Sequence, residues 1–312
     1  MMKILICDRL DKQTIEELQK IGNCIDASGE KNKKEKIIEN IVDAEIVLVR
    51  SDTQINKELI DISKNLKIIG RSGVGTDNID LIEASARNIH VTNTPEANVI
   101  SAAELTVGLI ISAARNITIA NNSVKKNEWE RSQFMGIELY KKQLGLIGFG
   151  KVARLVSTRM QSFEMKIVFY DPFIDSSTDK EEKIDLDELL MTSDFVSIHI
   201  PKNKETESLI SKEKLSLMKE GSIIVNTSRG GLIDEHEVFN LTKENKLYSA
   251  GLDVYENEPP EINKEHVNSK VITLPHLGAS TKEAQLRGGQ QLIQNIKDIL
   301  NDDLSSVINK KS

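Results

Sequence analysis

Residues 144–153 read Leu-Gly-Leu-Ile-Gly-Phe-Gly-Lys-Val-Ala, and this stretch decides the fold of the chain. A short apolar run turns through glycines and enters a polar, helix-compatible segment, which is the pattern of a strand, a tight turn and a helix. Gly148 and Gly150 permit the sharp turn and a close approach of the backbone to a pyrophosphate, and Ala153 lets the helix pack against the strand. The stretch therefore predicts a dinucleotide site.

The residues around this turn supply the rest of such a site. Lys151 and Val152 open the predicted helix, and the phosphates would lie at its N-terminus. A second strand, Lys166–Tyr170, ends in Asp171, about 20 residues beyond the turn, where a carboxylate would bind the ribose 2′-hydroxyl. Because this carboxylate would repel a 2′-phosphate, NAD is expected rather than NADP. The alternative is a glycine turn in an ordinary α/β domain.

The length and composition of the chain restrict the fold. With 312 residues it exceeds the roughly 250 to 300 residues at which a single core stops growing, so two domains are expected. Aromatic residues make up 4% of the sequence, so aliphatic residues must form the core, as in parallel sheets that are buried on both faces. We predict an α/β fold with two doubly wound parallel-sheet domains, the larger a Rossmann dinucleotide-binding domain.

Charge and cysteine content exclude several classes of protein. The formal net charge is −7 and basic residues are scattered, which argues against a nucleic-acid partner. Cys7 and Cys24 indicate no disulfide framework and are expected to be free thiols. The apolar run in residues 1–8 is too short for a signal or membrane segment, so we expect a cytoplasmic protein with no membrane contact. No metal site is predicted.

Short apolar runs alternate with amphipathic stretches, which predicts β/α alternation in two units. In the first unit, apolar runs begin at Ile4, Ile46 and Leu66. In the second unit, strands are predicted at residues 144–147, 166–170, 195–199, 222–226, 249–253 and 271–274.

Two capping-box patterns predict the helices that connect the domains. Ser101–Glu104 opens one helix and Ser280–Glu283 opens the other. On this basis we predict a substrate-binding domain formed by residues 1–97 and 288–312 and an NAD-binding domain formed by residues 98–287. The ligand would bind between them, at the carboxyl ends of strands.

Three polar side chains are candidates for chemistry near the cofactor. Arg229 follows the strand at 222–226, where its guanidinium could hold a carboxylate with two parallel hydrogen bonds. Glu258 precedes two prolines, and His276 follows the last predicted strand. Singly, each has an ordinary alternative: a surface arginine paired with an acid, a loop carboxylate and a turn histidine. Beside a nicotinamide, they supply the anchor, the base and the orienting acid that oxidation of a 2-hydroxy acid requires.

Three longer motifs carry a resemblance to a known family. They are residues 226–234 (Asn-Thr-Ser-Arg-Gly-Gly-Leu-Ile-Asp), 251–260 (Gly-Leu-Asp-Val-Tyr-Glu-Asn-Glu-Pro-Pro) and 275–281 (Pro-His-Leu-Gly-Ala-Ser-Thr). Together with residues 50–51, 70–80 and 93–95, they make nearly the whole chain resemble the D-isomer-specific 2-hydroxyacid dehydrogenases.

The resemblance implies an oxidoreductase that uses NAD. The catalytic positions of the family fall on Arg229, Glu258 and His276. Its cofactor positions fall on these residues: Gly148, Gly150, Lys151, Val152, Asp171, Ile200, Thr227, Asp253, His276 and Gly278. Relatives often have Thr at the position of Ile200, so a hydroxyl that could bond the cofactor is missing.

The resemblance also implies a phosphorylated 2-hydroxy acid as the substrate. Its phosphate and carboxylate would be bound by residues of the first domain: Arg50, Ser51, Gly73, Val74 and Asn98. Some relatives have Thr in place of Val74. Arg131 resembles a residue that a neighbouring subunit contributes, and we expect a homodimer that pairs through the apolar segment Leu105–Ala114. An internal buried helix is the alternative for that segment.

The mechanism implied by the resemblance is reversible hydride transfer between C2 of the acid and NAD. Arg229 would hold the carboxylate, His276 would take the hydroxyl proton, and Glu258 would fix the tautomer of His276 and favour its protonated form. Two alternatives are a dehydrogenase of another D-2-hydroxy acid (glycerate, glyoxylate or lactate) and an NAD-sensing corepressor that acts through peptide partners.

Regulation by L-serine is not expected. Longer members of the family carry a C-terminal serine-sensing domain. Of residues 281–312, about 20 are expected in one helix, and the tail at residues 301–312 is too short and too polar to form such a domain. Allosteric control needs a second site whose ligand binds two states differently. We therefore expect activity to be insensitive to L-serine.

Overall fold

The computed structural model describes residues 1–29, 31–261 and 269–310. The chain divides into two compact units: unit 1 is Met1–Val99 with Ala279–Ser312, and unit 2 is Ile100–Gly278. The strands of unit 1 are β1 (Met2–Ile6), β2 (Gly22–Asp26), β3 (Ile46–Val49), β4 (Ile68–Arg71) and β5 (His90–Asn93). Those of unit 2 are β6 (Gln143–Ile147), β7 (Lys166–Tyr170), β8 (Glu181–Lys183), β9 (Phe195–Ile198), β10 (Ser222–Asn226), β11 (Leu247–Leu252) and β12 (Val271–Thr273).

The helices of unit 1 are α1 (Lys12–Leu18), α2 (Lys33–Ile41), α3 (Lys57–Ile62), α4 (Leu81–Ala86) and α11 (Lys282–Leu300). The helices of unit 2 are α5 (Val99–Ala114), α6 (Ile117–Lys125), α7 (Lys151–Gln161), α8 (Leu186–Thr192), α9 (Lys212–Ser216) and α10 (Glu235–Lys243), with a 3₁₀ helix at Arg131–Phe134. α5 takes its first residue from the end of unit 1.

Unit 1 is a five-stranded parallel sheet in the order β2-β1-β3-β4-β5. Aliphatic side chains of its strands are buried on both faces. One face packs on α2, α3 and α4, and the other packs on α1 and α11. The strand order reverses between β1 and β3, which is where open α/β sheets have the crevice that receives a ligand.

Unit 2 is a seven-stranded parallel sheet in the order β12-β11-β10-β9-β6-β7-β8. Helices α8, α9 and α10 cover one face, and α5 and α7 cover the other. Here the order reverses between β6 and β9, so the glycine turn that follows β6 lies at the crevice. The predicted fold class, α/β with two doubly wound parallel sheets, is confirmed.

The domain boundaries differ from the sequence-based ones. The predicted boundary at residue 287 would cut through α11, whereas the two units divide at Gly278. Leu292, Ile293 and Ile296 of α11 belong to the core that lines the sheet of unit 1, so the whole helix folds with that unit. The other predicted boundary, at residue 97, lies close to the division at Val99.

The first capping box was also misplaced. Ser101 is not an N-cap: it is a buried residue inside α5, which begins at Val99. α5 ends at Ala114, and α6 starts after Asn116, whose backbone is left-handed (φ 54°). The second capping box is off by one residue, because the N-cap of α11 is Thr281, whose Oγ1 accepts the N–H of Ala284 at 3.1 Å.

Within the described residues, no single helix is long and apolar enough to span a membrane. α5 and α6 reach that length and hydropathy only together, as a pair that is bent by 66°.

Candidate active site

The glycine turn of unit 2 connects β6 to α7. Gly148 has a left-handed backbone (φ 85°), and its N–H donates to the carbonyl of Tyr170 at 2.8 Å. A Cβ at this position would lie 2.6 Å from the carbonyl oxygen of His199 and 2.7 Å from Cγ2 of Ile200. Glycine is therefore required both by the backbone angle and by the close packing of β6 against the end of β9.

The second glycine of the turn leaves space at the N-terminus of α7. Gly150 is the N-cap of α7 and is exposed, and an added Cβ would meet nothing within 4 Å. Glycine offers no side chain to bond the first N–H groups of α7, which begins with Lys151 and Val152. A helix N-terminus of this kind binds phosphate through its backbone donors and its dipole, so the turn fits the pyrophosphate of a dinucleotide.

Asp171 follows β7, next to the glycine turn. Its Oδ2 accepts the N–H of Phe149 at 2.8 Å, and its Oδ1 accepts the N–H of Phe173 at 2.9 Å. The residue is half-buried. A carboxylate oxygen has two lone pairs, so both backbone bonds leave acceptor capacity for ribose hydroxyls.

Ile200 and Thr227 lie at the ends of β9 and β10. The half-buried Ile200 packs against Gly148, so it shapes the apolar wall of the turn. The hydroxyl of Thr227 is 2.6 Å from that of Thr106 in α5. This bond ties the end of β10 to the helix that covers the sheet.

The structure brings two of the predicted catalytic side chains into contact. Nδ1 of His276 lies 2.8 Å from Oε2 of Glu258. The other oxygen of Glu258, Oε1, accepts the N–H of Tyr255 at 3.2 Å. The side chains of His276 and Glu258 are 35% and 38% exposed, so the pair is partly open to solvent. With Nδ1 engaged, Nε2 is the ring nitrogen that is available for proton exchange with a ligand.

His276 is held in an unusual backbone conformation. Its φ is 55°, in the left-handed region that non-glycine residues seldom adopt. Asp253, which is fully buried, fixes this turn: its carbonyl accepts the N–H of His276 at 2.9 Å. Its carboxylate accepts the N–H groups of Leu277 at 2.7 Å and Gly278 at 2.8 Å. The predicted cofactor residue Asp253 thus fixes the turn that carries His276.

Burial and local partners set the ionisation of these acids. Burial raises the pKa of Asp253 above its ordinary value, although the two backbone hydrogen bonds oppose this effect. Burial also disfavours ionisation of Glu258, but the hydrogen bond and charge of His276, the Tyr255 N–H and the nearby Arg229 together lower its pKa. Glu258 is therefore an anion beside His276 at neutral pH.

Arg229 lies on the turn that follows β10. The side chain of Asn226 donates from Nδ2 to the carbonyl of Arg229 at 2.8 Å. Nη1 of Arg229 donates to the carbonyl of Ser228 at 2.7 Å. The half-buried guanidinium is close enough to Glu258 to affect its pKa, so all three predicted catalytic side chains lie in one region of unit 2.

Glu235 is a residue of this region that the sequence did not single out. Its Oε1 accepts the N–H of Glu256 at 2.7 Å and the N–H of Gly231 at 3.5 Å. Burial raises its pKa. Because a Cβ at Gly230 would overlap the carbonyl of Tyr255, the turn that carries Arg229 and the turn that carries Glu258 pack directly on each other. The only sequence signal for this contact is the pair of acidic residues in the first turn of α10.

The predicted substrate residues of unit 1 gather at the ends of β3 and β4. Arg50 is half-buried and Ser51 is exposed, both directly after β3. Gly73 (φ 151°) donates its N–H to Oγ1 of Thr94 at 2.8 Å, and a Cβ there would overlap the guanidinium of Arg71. Val74 is 37% exposed. Paired neighbouring strands bring these positions together at one edge of the sheet.

The two other predicted substrate residues lie outside this group. Asn98 is half-buried just before α5. Arg131 is exposed in the 3₁₀ helix of unit 2. Both assignments stay predictions.

Comparison with known proteins identifies the family. Residues 107–278 match the family described as "D-isomer specific 2-hydroxyacid dehydrogenase, NAD binding domain". That range lies entirely in unit 2 and contains the glycine turn and Asp171, so unit 2 is an NAD-binding domain.

Individual relatives match over nearly the whole chain. The D-3-phosphoglycerate dehydrogenase of Methanocaldococcus jannaschii is 43% identical over 99% of this chain, which spans 60% of that protein. The hydroxypyruvate reductase of Thermotoga maritima is 41% identical over 94% of this chain and 97% of its own length. The structure of D-lactate dehydrogenase from Aquifex aeolicus, complexed with NAD and lactic acid, covers 99% of this chain and 100% of that chain, with a TM-score of 0.84 and 26% identity. The chain belongs to the D-isomer specific 2-hydroxyacid dehydrogenase family.

Proposed function

We propose that the protein catalyses the reversible NAD-dependent oxidation of 3-phospho-D-glycerate to 3-phosphohydroxypyruvate. The observation that carries this proposal is the pair of Nδ1 of His276 and Oε2 of Glu258, 2.8 Å apart, in the same region as Arg229. A D-3-phosphoglycerate dehydrogenase that is 43% identical to this chain supports the choice of substrate. In this proposal the reaction is the first step of serine biosynthesis and takes place in the cytoplasm.

Each of the three side chains has a separate task in this reaction. Arg229 binds the substrate carboxylate, because a guanidinium fork matches the two oxygens of a carboxylate. Nε2 of His276 accepts the proton of the C2 hydroxyl during oxidation and returns it during reduction. Glu258 holds Nδ1 of His276, which fixes the tautomer and stabilises the imidazolium that forms. NAD, when bound, takes up the hydride that leaves C2.

The phosphate of the substrate is assigned to unit 1. Arg50 supplies a permanent positive charge, and Ser51 and the backbone near Gly73 and Val74 supply further donors. Arg131, provided by a second subunit, adds another cation. This group of residues would distinguish 3-phosphoglycerate from glycerate, which lacks the phosphate.

A second candidate is the reduction of hydroxypyruvate. It is favoured by one observation: the hydroxypyruvate reductase of T. maritima matches this chain over 97% of its own length, whereas the chain spans 60% of the M. jannaschii phosphoglycerate dehydrogenase. The chemistry at C2 is the same for both substrates, so only the phosphate separates the two functions.

A panel of substrates tests the proposal. Initial rates with NAD would be measured for 3-phosphoglycerate, D-glycerate and D-lactate, and with NADH for 3-phosphohydroxypyruvate, hydroxypyruvate and glyoxylate. We expect the highest kcat/KM with the phosphorylated pair. A higher kcat/KM for hydroxypyruvate than for its phosphorylated form would favour the second candidate, and binding of NAD without turnover of any acid would favour a sensor.

The same assay tests the roles of Arg229 and Asp171. Arg229→Lys should lose most of its activity, because an ammonium cannot reproduce two parallel hydrogen bonds. Wild-type kinetics for this variant would remove Arg229 from the mechanism. Asp171 predicts a higher kcat/KM with NAD than with NADP, and the reverse preference would contradict its assignment.

We also propose that the protein is a homodimer. Much of Leu105–Ala114 is buried within unit 2, which agrees with the alternative of an internal helix for that segment. The chain just beyond it nevertheless exposes large apolar side chains: Val124 (54%), Trp129 (76%) and Met135 (80%). Light scattering at micromolar concentration should give twice the chain mass of 34.9 kDa, and a mass near 34.9 kDa would contradict the dimer.

A further inference from the structure

The crevice of unit 1 holds a buried network of polar side chains. The strand order of its sheet reverses between β1 and β3. Asp8 lies two residues after β1, and Arg50 directly follows β3. Asp8 is 1% exposed. A carboxylate at this depth is retained only when several partners compensate the loss of its hydration.

Asp8 binds mainly to the turn after β3. Its Oδ2 accepts the N–H of Arg50 at 2.6 Å and the N–H of Thr53 at 3.3 Å. Its Oδ1 accepts the hydroxyl of Thr53 at 2.5 Å and the ammonium of Lys33 at 2.7 Å. Burial disfavours ionisation of Asp8, but the bonds from Lys33, Thr53 and Arg50 lower its pKa, so it is an anion at neutral pH.

Asn78 holds the same turn from its carbonyl side. Its Nδ2 donates to the carbonyl of Arg50 at 2.8 Å and to that of Thr53 at 2.6 Å. Its Oδ1 accepts Nε of Arg71 at 3.1 Å, which fixes the orientation of the amide. Asn78, Thr53 and Arg71 are 6%, 7% and 8% exposed.

Two buried side chains thus bind both backbone polar atoms of Arg50 and both of Thr53. The turn therefore has a fixed backbone although it belongs to no helix or strand. A network that served stability alone could be replaced by apolar residues of similar volume at little cost. Its bonds converge instead on the turn that carries Arg50, at the position in the sheet where ligands bind.

We infer that Asp8 and Asn78 are positioning residues, which fix the Arg50 turn so that its guanidinium meets the phosphate of the substrate. This inference rests on the proposed function, in which Arg50 binds that phosphate. A positioning role has a specific consequence: loss of the network weakens recognition of the phosphate and leaves NAD binding and the chemistry at C2 unchanged.

The experiment compares Asp8→Asn with a matched control in the same sheet. Glu45 directly precedes β3, at the amino ends of the strands, and likewise accepts a backbone N–H (Lys3, 3.3 Å) and a lysine ammonium (Lys67, 2.9 Å). Asp8→Asn should raise KM for 3-phosphoglycerate at least about tenfold, since small displacements of a binding group have large effects. Its kcat and its Kd for NAD should stay within about twofold of the wild type, and Glu45→Gln should leave all three values unchanged.

Thr53→Val is the milder variant, which removes one hydroxyl from the network if Asp8→Asn fails to fold. It should raise KM for 3-phosphoglycerate by about threefold to tenfold and leave the KM for D-glycerate unchanged. A KM for 3-phosphoglycerate equal to the wild-type value in the folded Asp8 or Thr53 variant would overturn the inference.

Arg50→Ala separates this inference from the proposed function. If Arg50→Ala raises the KM for 3-phosphoglycerate but Asp8→Asn and Thr53→Val do not, the proposed function stands and the inference fails. If wild-type enzyme does not oxidise 3-phosphoglycerate, or Arg50→Ala leaves its KM unchanged, the inference fails together with the role of Arg50.

Discussion

Ionisable side chains near the carboxyl ends of the strands differ between the two sheets: Asp8 of unit 1 is buried, whereas His276 and Glu258 of unit 2 are partly exposed. In unit 1, Asp8 is 1% exposed, and its oxygens are occupied by the backbone and side chains around the Arg50 turn. In unit 2, His276 and Glu258 are 35% and 38% exposed and bond chiefly to each other. A buried anion saturated with hydrogen bonds can fix a backbone but cannot exchange protons. A partly exposed pair can exchange them.

Unit 2 also contains a buried aspartate that holds a backbone turn, as unit 1 does. Asp253 is fully buried and holds the backbone of Leu277 and Gly278, as Asp8 holds that of Arg50 and Thr53. Each sheet therefore has, at the carboxyl end of one of its strands, a buried aspartate that fixes a turn. The turn of unit 2 presents the imidazole of His276, whereas the turn of unit 1 presents the guanidinium of Arg50. This difference predicts where substitutions affect turnover and where they affect binding or stability.

The largest effect is expected at His276. His276→Ala should lower kcat by about 10³-fold, because general-base catalysis contributes about 10² to 10⁴, with the Kd for NAD nearly unchanged. His236, which is exposed on α10, provides the control, and His236→Ala should keep wild-type kcat. Steady-state rates and fluorescence titration with NADH measure both quantities. A His276→Ala variant with wild-type kcat would show that the pair is not catalytic.

The next effect is on stability, and it distinguishes Asp8 of unit 1 from Glu258 of unit 2. Asp8→Asn should lower the free energy of unfolding at pH 7 by about 3 kcal/mol, since it breaks a buried ionic network. Glu258→Gln, at a partly exposed pair, should change it by less than about 1 kcal/mol. Urea unfolding gives both values. Equal losses of unfolding free energy would show that the two carboxylates contribute equally to stability.

The pH dependence of this difference has a defined sign. The folded-state pKa of Asp8 is lowered, so its contribution to stability is present above the unfolded-state pKa of about 3.9 and is lost as the pH falls through the folded value. The gap in unfolding free energy between wild type and Asp8→Asn should therefore narrow below about pH 4. A gap that widens on acidification would contradict an ionised Asp8.

A smaller effect is expected where the turn that carries Arg229 contacts the turn that carries Glu258. Gly230→Ala would place a methyl group on the carbonyl of Tyr255, so the turns must separate, at a cost of about 2 kcal/mol in unfolding free energy. Its kcat should fall as well, because Arg229 and Glu258 move apart. Gly29→Ala, where a Cβ meets nothing within 4 Å, serves as the control. Equal stabilities of the two variants would show that the turns are not in tight contact.

The smallest effect is a shift of the pH profile. His276 lowers the pKa of Glu258, and by linkage the ionised Glu258 favours the protonated imidazole. Glu258→Gln removes that preference, so the base form persists to lower pH. The acid limb of kcat/KM for oxidation should therefore move to lower pH. An unchanged limb, or one that moves to higher pH, would show that Glu258 does not act on the base.

The glycine turn and its flanking elements could be predicted from the sequence because their signals are local. β7 and β10 have the predicted bounds, since apolar runs end at turn residues on both sides. β8, with the sequence Glu-Glu-Lys, has no apolar residue and gave no such signal. The boundary inside α11 was wrong because an amphipathic pattern shows that a helix has an apolar face but not which sheet covers it.

The contacts within the sites could not be predicted in the same way. Asp8 and Arg50 are 42 residues apart and meet only because β1 pairs with β3, and the sequence does not show which strands are neighbours. Glu258 and His276 were identified through motifs of the family, and their contact depends on the left-handed backbone of His276. Local sequence patterns indicate helices and strands, whereas the contacts within a site depend on which strands are neighbours in the sheet.

If unit 1 binds the phosphate and unit 2 carries the chemistry at C2, the two roles can be separated by isothermal titration calorimetry. Binding of 3-phosphoglycerate would be measured to the NADH complexes of wild type, His276→Ala and Arg50→Ala, because NADH cannot accept a hydride from the acid. His276→Ala, although inactive, should bind with a Kd within about threefold of the wild type, while Arg50→Ala should weaken binding at least about tenfold. Loss of binding in His276→Ala together with wild-type binding in Arg50→Ala would show that the two roles are not divided between the units in this way.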